Sequence, residues 1–503
     1  MATLLSKTRR STLHTLPAQV VNRILGVLYV VLLARFLTVE SYGAYNFVLG
    51  ALMILGFLCN LGVASSLQRF IPEYARLGRH QLMLRTLFFA HSFRTGAGLI
   101  VLVVSYLTFE QWASYFNVLE YKEPYLAFIV GAFFLFHIEY FTIGFNANFL
   151  HWATSLMQLG YTILRFILAG IVFYFGFKLT AVLVVESVAY CLAALFGVWV
   201  FYTRLYKPNR EKPADESGEG IEKRRLGRYS AFNAAVIPGN IMISHSMDYF
   251  VIAAMANPIQ LGLYALASRV SKMITSIMPQ NILQGVIRPA FYHGYYADKN
   301  EKTLDRMFNS LVKMIAVFLF PSVIVGLVLA QPLIVLVFGA DYHEAVNSFC
   351  LLLAFMIFTV LEFPSDMVLQ AIEKVQARLY AQIFAVYNVV AAIYLMKRYG
   401  IEGVAFATGT ALMLKCLFFY FMVRYYTDIR VEWLPIIKML LLASLTGVAA
   451  HLLLGAAVTW SAFLLAAVAA VLMYFTLFFF INPMNFEEKT MVNEFFKRRI
   501  FPT

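Results

Sequence analysis

Charged and polar side chains interrupt several long apolar segments of this chain at helical spacing. In the first segment, Gln19, Asn22 and Arg23 fall at positions i, i+3 and i+4, which share one face of an α-helix. An ionisable side chain is costly inside an apolar segment and usually faces a cavity. Arginine offers a planar fork of donors and lysine a point charge, so such residues could hold an anion. The candidate binding residues are Asn22, Arg23, Arg94, Arg165, His245, Arg269 and Lys272.

Acidic residues in the apolar segments are fewer and suit a different task. Glu362, Asp366 and Gln370 form a stripe at i, i+4 and i+8 on one predicted helix face. Such carboxylates could bind a coupling proton or sodium ion, or they could neutralise the arginines in ion pairs. The candidates for ion coupling are Asp248, Glu139, Glu186, Glu362 and Asp366.

We expect no metal site and no cofactor. His343 stands beside Glu344, but no partner histidine lies at ligand spacing. The four cysteines lie in or near apolar segments and form no CxxC pair, so we predict neither a disulfide framework nor a zinc site. The sequence has no phosphate-cradling Gly-Lys-Ser/Thr motif and therefore no predicted ATP site.

The composition indicates what must position these residues. Of the 503 residues, 61% are hydrophobic and only 13% are charged, whereas soluble domains are usually about a quarter charged. This balance predicts an all-α polytopic membrane protein. The net charge of +13 would suggest nucleic acid on a soluble protein. Here we interpret it as cytoplasmic loop charge that orients the chain, and we expect no nucleic-acid partner.

Fourteen apolar runs reach the length of about 20 residues that a spanning helix needs. The first run is too long for the apolar core of a signal peptide, so we interpret it as a spanning helix. The predicted spans are 15–37, 42–65, 84–107, 124–148, 152–176, 179–203, 229–255, 262–287, 307–330, 345–370, 377–396, 402–425, 435–454 and 461–481.

The distribution of basic residues predicts the orientation. Most Lys and Arg fall in alternate loops, and the opposite loops hold only Lys122, Lys178, Lys397 and Arg398. Because basic loops stay in the cytoplasm, and because the number of spans is even, both termini are predicted to be cytoplasmic. The charged, Pro- and Gly-containing stretch 207–228 reads as a flexible cytoplasmic linker.

Several short patterns recur about 220 residues apart. Gly43-x-Tyr45 opens one apolar run, and Gly262-x-Tyr264 opens another. An acid-Tyr-x-Glu pattern after the third span recurs after the ninth. The recurrence predicts two parallel six-helix repeats with a substrate path between them. The predicted parts are an N-terminal lobe 1–206, the linker 207–228, a C-terminal lobe 229–430, an accessory helix pair 431–481 and a cytoplasmic tail 482–503.

Three stretches carry a resemblance to a known family. "LLARFLTVESYGAYNFVLGAL", "QLGLYALASRV" and "VFGADYHEAVNSFCLL" resemble signatures of the polysaccharide-transporter branch of the multidrug/oligosaccharidyl-lipid/polysaccharide (MOP) flippase superfamily. The two-by-six plan covers residues 1–430, and the last two spans resemble those of lipid II flippases and of some O-antigen flippases. The resemblance implies a flippase, in the inner membrane, that translocates undecaprenyl-pyrophosphate-linked sugars by alternating access. Its partners would be the lipid-linked oligosaccharide and membrane lipids, and could include other polysaccharide-assembly proteins.

Two other functional classes stay open at this point. A membrane glycan polymerase or ligase would typically carry a large extracytoplasmic loop with catalytic groups, whereas the predicted outer loops are short, so we expect no enzyme. A multidrug/cation antiporter of the same superfamily is the closer alternative. Its cavity should be acidic and aromatic, whereas the predicted cavity is basic and favours an anionic substrate.

Overall fold

The computed structural model describes residues 2–148, 150–211, 223–234, 237–282, 287–288, 291, 295, 300–374, 376–455 and 459–481. Regular secondary structure within these ranges is entirely helical, as the composition predicts. The predicted tail 482–503 and most of the predicted linker lie outside the described residues.

The chain packs as two compact units, Met1–Ala265 and Leu266–Thr503. The helices of the first unit are α1 (Ala2–Phe36), α2 (Val39–Asn60), α3 (Val63–Arg76), α4 (His80–Leu107), α5 (Phe109–Tyr115), α6 (Lys122–Ala147), α7 (His151–Tyr174), α8 (Leu179–Val200), α9 (Lys207–Arg210), α10 (Lys223–Ala234), α11 (Ile237–Met242) and α12 (His245–Met255). Helix α13 (Pro258–Ser276) begins in the first unit and ends in the second.

The second unit continues with a further series of helices. They are α14 (Pro279–Ile282), α15 (Glu301–Val328), α16 (Ala345–Phe355), α17 (Glu362–Ala371), α18 (Gln376–Tyr380), α19 (Ile383–Tyr426), α20 (Trp433–Leu454) and α21 (Trp460–Ile481). Helix α19 is kinked at Gly400, whose φ of 57° is left-handed. This kink separates the parts that correspond to the eleventh and twelfth predicted spans.

Eleven helical stretches of the described chain are long and apolar enough to cross a membrane. They match twelve of the fourteen predicted spans, because the stretch Gln376–Tyr426 includes both parts of the kinked helix. The seventh predicted span, 229–255, is instead divided among α10, α11 and α12. Pro238-Gly239 lies inside α11, and a break falls after it at residues 243–244. The eighth predicted span corresponds to α13 and α14, which are not among the eleven. The count of fourteen therefore stays a prediction.

The two Gly-x-Tyr motifs meet inside the first unit. A Cβ atom on Gly43 would lie 2.7 Å from the carbonyl oxygen of Pro258 and 2.8 Å from the amide nitrogen of Gly262. A Cβ atom on Gly262 would lie 2.0 Å from the carbonyl oxygen of Val39. Only glycine at both positions lets the beginnings of α2 and α13 approach backbone to backbone.

The flanks of the predicted linker are helical and docked. Residues 207–210 form α9, and the chain resumes at Lys223 in α10, which packs on α3. Arg225 donates two hydrogen bonds to Glu73, at 3.0 and 3.2 Å, and Phe70 meets Tyr229 edge to face. The hydroxyls of Ser66 and Ser230 lie 2.7 Å apart. The helix after the linker is thus fixed to the helix after the second span.

A polar ladder on α15 holds the segment before α20. Glu301 accepts the amide of Asp428 at 2.7 Å, and Asp305 accepts that of Arg430 at 3.2 Å. Asn309 donates to the carbonyl of Arg430 and accepts the amide of Glu432, each at 2.9 Å. Lys313, one turn further along, pairs with the carboxylate of Glu432 at 2.7 Å. Four side chains at i, i+4, i+8 and i+12 therefore anchor the accessory helices to α15.

The contact between α3 and α10 can be tested by crosslinking. In a background without the four native cysteines, we expect the Ser66→Cys/Ser230→Cys pair to form a disulfide, because the two hydroxyls are within hydrogen-bonding distance. After proteolysis at a site engineered within 212–222, the two fragments should stay joined on a non-reducing gel. Ser65→Cys/Ser230→Cys is the matched control. Equal crosslinking of the two pairs, or none in either, would contradict this docking.

Candidate functional site: charge clusters of the first unit

A buried carboxylate, Glu186 on α8, joins four helices of the first unit. It is fully buried, and one of its oxygens, Oε1, accepts the hydroxyls of Tyr29 at 2.6 Å and Tyr45 at 2.7 Å. Arg165 on α7 places its Nη1 atom 3.8 Å from the same oxygen and 3.4 Å from the hydroxyl of Tyr190. We call these five residues the Glu186 cluster.

The arginine of the Glu186 cluster is also held by aromatic faces. Its guanidinium carbon lies 4.4 Å from the centre of the Tyr29 ring and 5.7 Å from that of Tyr161. Cation–π contacts of this kind stabilise a guanidinium most where water is excluded. The cluster therefore contains its own cation, and Arg165 and Glu186 compensate each other.

A second ion pair joins α4 to α6. Arg94 is buried and pairs with Glu139, whose side chain is 50% exposed. Near this pair, the Nδ1 atom of His137 lies 2.8 Å from the carbonyl oxygen of Phe133, and its Nε2 atom lies 3.0 Å from the hydroxyl of Thr95. A carbonyl can only accept, so Nδ1 carries the proton and Thr95 donates to Nε2. Arg94, like Arg165, therefore has a carboxylate as its direct partner.

Arg23 differs from these two arginines. It is half-buried on α1, and it makes no hydrogen bond or ion pair within the part of the chain that the structure describes. The side-chain oxygen of the adjacent Asn22 is buried and also lacks a partner there. In the part of the chain that the structure describes, the guanidinium of Arg23 therefore has no anion as a partner.

The Asp248 cluster lies at the beginning of α12. Asp248 is 1% exposed, and its Oδ2 atom accepts the hydroxyl of Tyr264 at 2.6 Å. The same oxygen lies 3.2 Å from Nδ1 of His245, whose side chain is 18% exposed. Tyr45 and Tyr264, the tyrosines of the two Gly-x-Tyr motifs, thus each donate to a buried carboxylate.

The acidic candidates of the second unit are engaged in ion pairs. Glu362 on α17 pairs with Lys415 on α19 at 2.8 Å. Asp366 binds Arg378 through two hydrogen bonds, one of 2.6 Å to Nε, and accepts the amide of Gln370 at 2.8 Å. Arg269 is half-buried and Lys272 is exposed.

The second unit also contains an apolar cavity of about 300 Å³ between α13, α15 and α21. Phe318, Val325 and Phe475 are among its lining residues, and Ser322 and Tyr474 are the lining residues that carry a hydroxyl group. The accessory pair thus contributes α21 to this cavity.

Sequence reasoning missed several partners of these clusters. Lys415 lies within the predicted span 402–425 and Arg378 at the start of the predicted span 377–396, and neither position indicates which carboxylate it will meet. Lys313, buried on α15, was also missed. The distance along the chain between partners, such as the 53 residues from Glu362 to Lys415, leaves no local signal.

A family model described as "Polysaccharide biosynthesis protein" matches residues 8–293. That is more than half of the chain. The chain belongs to the polysaccharide biosynthesis protein family. This assignment confirms the resemblance inferred from the sequence. A search of curated protein sequences finds no significant match.

Solved structures show the fold of this family member. The lipid II flippase MurJ, in an inward closed conformation, aligns with a TM-score of 0.70 and 15% identity, over 97% of this chain and 100% of that one. An inward-facing MATE multidrug resistance transporter of the MOP superfamily aligns with a TM-score of 0.65 and 13% identity, over 83% of this chain and 98% of that one. A point mutant of the Vibrio cholerae MATE transporter VcmN aligns with a TM-score of 0.52 and 12% identity, over 84% of this chain and 98% of that one. The polytopic all-α prediction is confirmed, and the fold is that of MOP superfamily transporters.

The compensation between Arg165 and Glu186 predicts a specific pattern of stability. Glu186→Gln leaves a guanidinium without its anion, so we expect a loss of up to about 3 kcal/mol in the free energy of unfolding. Replacing both residues, as Arg165→Leu with Glu186→Gln, should recover part of that loss because no charge remains unpaired. Thermal unfolding of the purified proteins in detergent measures the loss in the single variant and the recovery in the double variant. A double variant that is less stable than Glu186→Gln would show that the pair is not mutually compensating.

Proposed function

We propose that this protein is a flippase that moves an undecaprenyl-pyrophosphate-linked oligosaccharide across the cytoplasmic membrane by alternating access, with both termini in the cytoplasm. The family supports a role in polysaccharide biosynthesis, and the fold supports membrane transport. The observation that supports an anionic substrate is the environment of Arg23. A half-buried guanidinium without an internal anion is unfavourable, and a phosphate group would offset that cost.

The ion pairs indicate which of the other proposed ligands would attract a phosphate most strongly. Arg94 and Arg165 each have a carboxylate partner, so their net attraction for a phosphate is weaker than that of Arg23. Arg269 in the second unit is the other main proposed phosphate ligand. Asn22, His245 and Lys272 are proposed as supporting polar contacts. A coupling proton or sodium ion would have to compete with a basic partner at Glu139, Glu186, Glu362 or Asp366.

A multidrug/cation antiporter is the second candidate, supported by the likeness of the fold to MATE transporters. An exposed carboxylate would favour a cationic substrate, and Glu139 is half exposed. That carboxylate is paired with Arg94, however, which lowers its attraction for an external cation. We therefore favour the anionic lipid.

The cavity beside α21 suits the hydrocarbon part of such a substrate. Its wall is almost wholly apolar, and an isoprenoid chain could fill it without desolvating any charged group. We include it in the proposal as a tail-binding groove.

Loss of the charge at Arg23 or Arg269 should impair transport more than folding. In a strain that lacks the transporter, Arg→Lys should be partly active because it keeps the charge but loses the donor fork. Arg→Ala should be nearly inactive, and Arg→Glu inactive. Polysaccharide assembly and membrane levels of each variant are measured together. Wild-type assembly by normally expressed Arg23→Ala and Arg269→Ala would refute the proposed phosphate contacts, and sensitivity to cationic drugs in the same strain would favour the antiporter.

Filling the apolar cavity should slow transport without unfolding the protein. Val471→Phe adds a ring at the cavity wall, so we expect reduced assembly at unchanged membrane levels. Val468→Phe is the matched control, since Val468 lies one turn away on α21, is 57% exposed and does not line the cavity. Truncation after residue 430 is a poorer test, because it also deletes Glu432 and so removes an ion pair of the buried Lys313. Equal activity of the two Phe variants would exclude the groove.

A further inference from the structure

One exposed face of α8 changes from aliphatic to aromatic along its length. Each of its five residues is between 45% and 57% exposed, and they follow one another at intervals of three or four positions: Val188, Leu192, Leu195, Trp199 and Tyr202. Side chains at this spacing share one face of a helix. Tryptophan and tyrosine are enriched where a helix leaves the hydrocarbon core of a membrane, so the aromatic end of this face marks that level.

The helical stretch that contains α8 continues beyond these aromatic residues. Leu179–Arg210 has 32 residues, and the stretch passes through a π-helical turn, Phe201–Tyr206, before α9. At 1.5 Å per residue it is about 48 Å long, which exceeds the hydrocarbon core of about 30 Å. Three exposed cations lie in its last seven residues, namely Arg204, Lys207 and Arg210. The end of the stretch therefore carries positive charge to the level of the lipid headgroups.

Helix α4 contributes a fourth cation beside this end. The rings of Phe88 on α4 and Tyr206 meet edge to face at 5.5 Å. Arg85 is exposed and lies three residues before Phe88, on the same face of α4. Gln81, one turn earlier, donates to the carbonyl oxygen of Arg210 at 3.3 Å. These contacts fix the beginning of α4 against α9, so the cations of the two elements lie on one docked pair. We call Arg85, Arg204, Lys207 and Arg210 the basic patch.

The charges of the basic patch have aromatic neighbours and no internal anion. The guanidinium carbon of Arg204 lies 6.0 Å from the ring centre of Trp152 on α7, which is 41% exposed, and that of Arg210 lies 5.7 Å from the ring centre of Tyr206. An aromatic face attracts a cation but does not cancel its charge. Within the part of the chain that the structure describes, no side chain of the basic patch forms an ion pair or a hydrogen bond.

We propose that the basic patch binds the headgroup of an anionic phospholipid, whose acyl chains lie along the exposed apolar face of α8. Guanidinium groups donate readily to phosphate oxygens, and four or more basic residues directly beyond a spanning helix attract anionic lipids. Because α4 and α9 are held together by Gln81 and Phe88, the cations need little reordering when the headgroup binds. The ligand is a lipid of the membrane and not the transported molecule, so this inference does not depend on the proposed function.

Native mass spectrometry of the purified full chain in detergent tests the site, with phosphatidylglycerol and phosphatidylcholine of the same acyl chains as probes. We expect wild type to bind phosphatidylglycerol more tightly. Arg204→Gln/Lys207→Gln should weaken that binding by about fivefold for each charge removed and leave phosphatidylcholine binding unchanged. Arg85→Gln, on the other helix, should weaken it by about fivefold.

Lys397→Gln/Arg398→Gln is the matched control for the double variant. It removes the same charge from two adjacent exposed residues, and Arg398 lies 6.0 Å from the ring centre of Tyr394, as Arg204 does from Trp152. The control should keep the wild-type affinity for both lipids. Thermal unfolding should be unchanged in all variants, because the substituted side chains are exposed, and this shows that a loss of affinity reflects binding.

Three results would overturn the inference. Equal losses in the double variant and its control would show that only the overall charge attracts the lipid. Wild-type affinity for phosphatidylglycerol in both Arg204→Gln/Lys207→Gln and Arg85→Gln would show that the basic patch does not bind it. If these variants weaken binding of farnesyl pyrophosphate but not of phosphatidylglycerol, the basic patch holds the transported headgroup instead of a membrane lipid.

Discussion

The fully buried carboxylate of Glu186 constrains the packing of four helices in the first unit, because a charge in a low-dielectric interior needs compensation. Two tyrosine hydroxyls and a guanidinium supply it, and they come from three other helices: α1, α2 and α7. Rotation or sliding of any of these helices would remove one of the contacts to Oε1. The apolar faces bring the helices together, but the charge determines the register in which they pack.

The same constraint distinguishes charges that have an internal counter-charge from charges for which the described residues supply none. Arg165 and Arg94 lie close to carboxylates on neighbouring helices, so the fold itself accounts for them. Glu362 and Asp366 are accounted for in the same way by Lys415 and Arg378. Arg23 is the case that the described part of the fold does not account for, and His245 combines a buried acid with a partly exposed ring. For Arg23, a ligand is the simplest partner.

A feature could be predicted from the sequence when it depends on residues close together in the chain, and not when it depends on residues far apart. Apolar run length is local, so most spans could be located to within a few residues, and the family could be inferred from short signatures. The break at residues 243–244 has no such local signal, since Pro238 and Gly239, which often interrupt a helix, lie inside α11 instead. The pairing of charges was the least predictable part. Glu186 meets Tyr29 across 157 residues, and only packing decides which of several carboxylates an arginine will meet.

The two Gly-x-Tyr motifs share their local geometry but have different charged neighbours. In both, glycine permits close backbone approach and tyrosine donates to a buried carboxylate. At the predicted repeat offset of about 220 residues, however, Glu186 corresponds to residues 405–407 and Arg165 to residues 384–386, and neither stretch contains a charge. The carboxylate that meets the second tyrosine is Asp248, on a helix that starts at a break, and its neighbour is a titratable imidazole rather than a guanidinium. The first cluster therefore contains a permanent internal cation, Arg165, whereas the second pairs its carboxylate with a histidine.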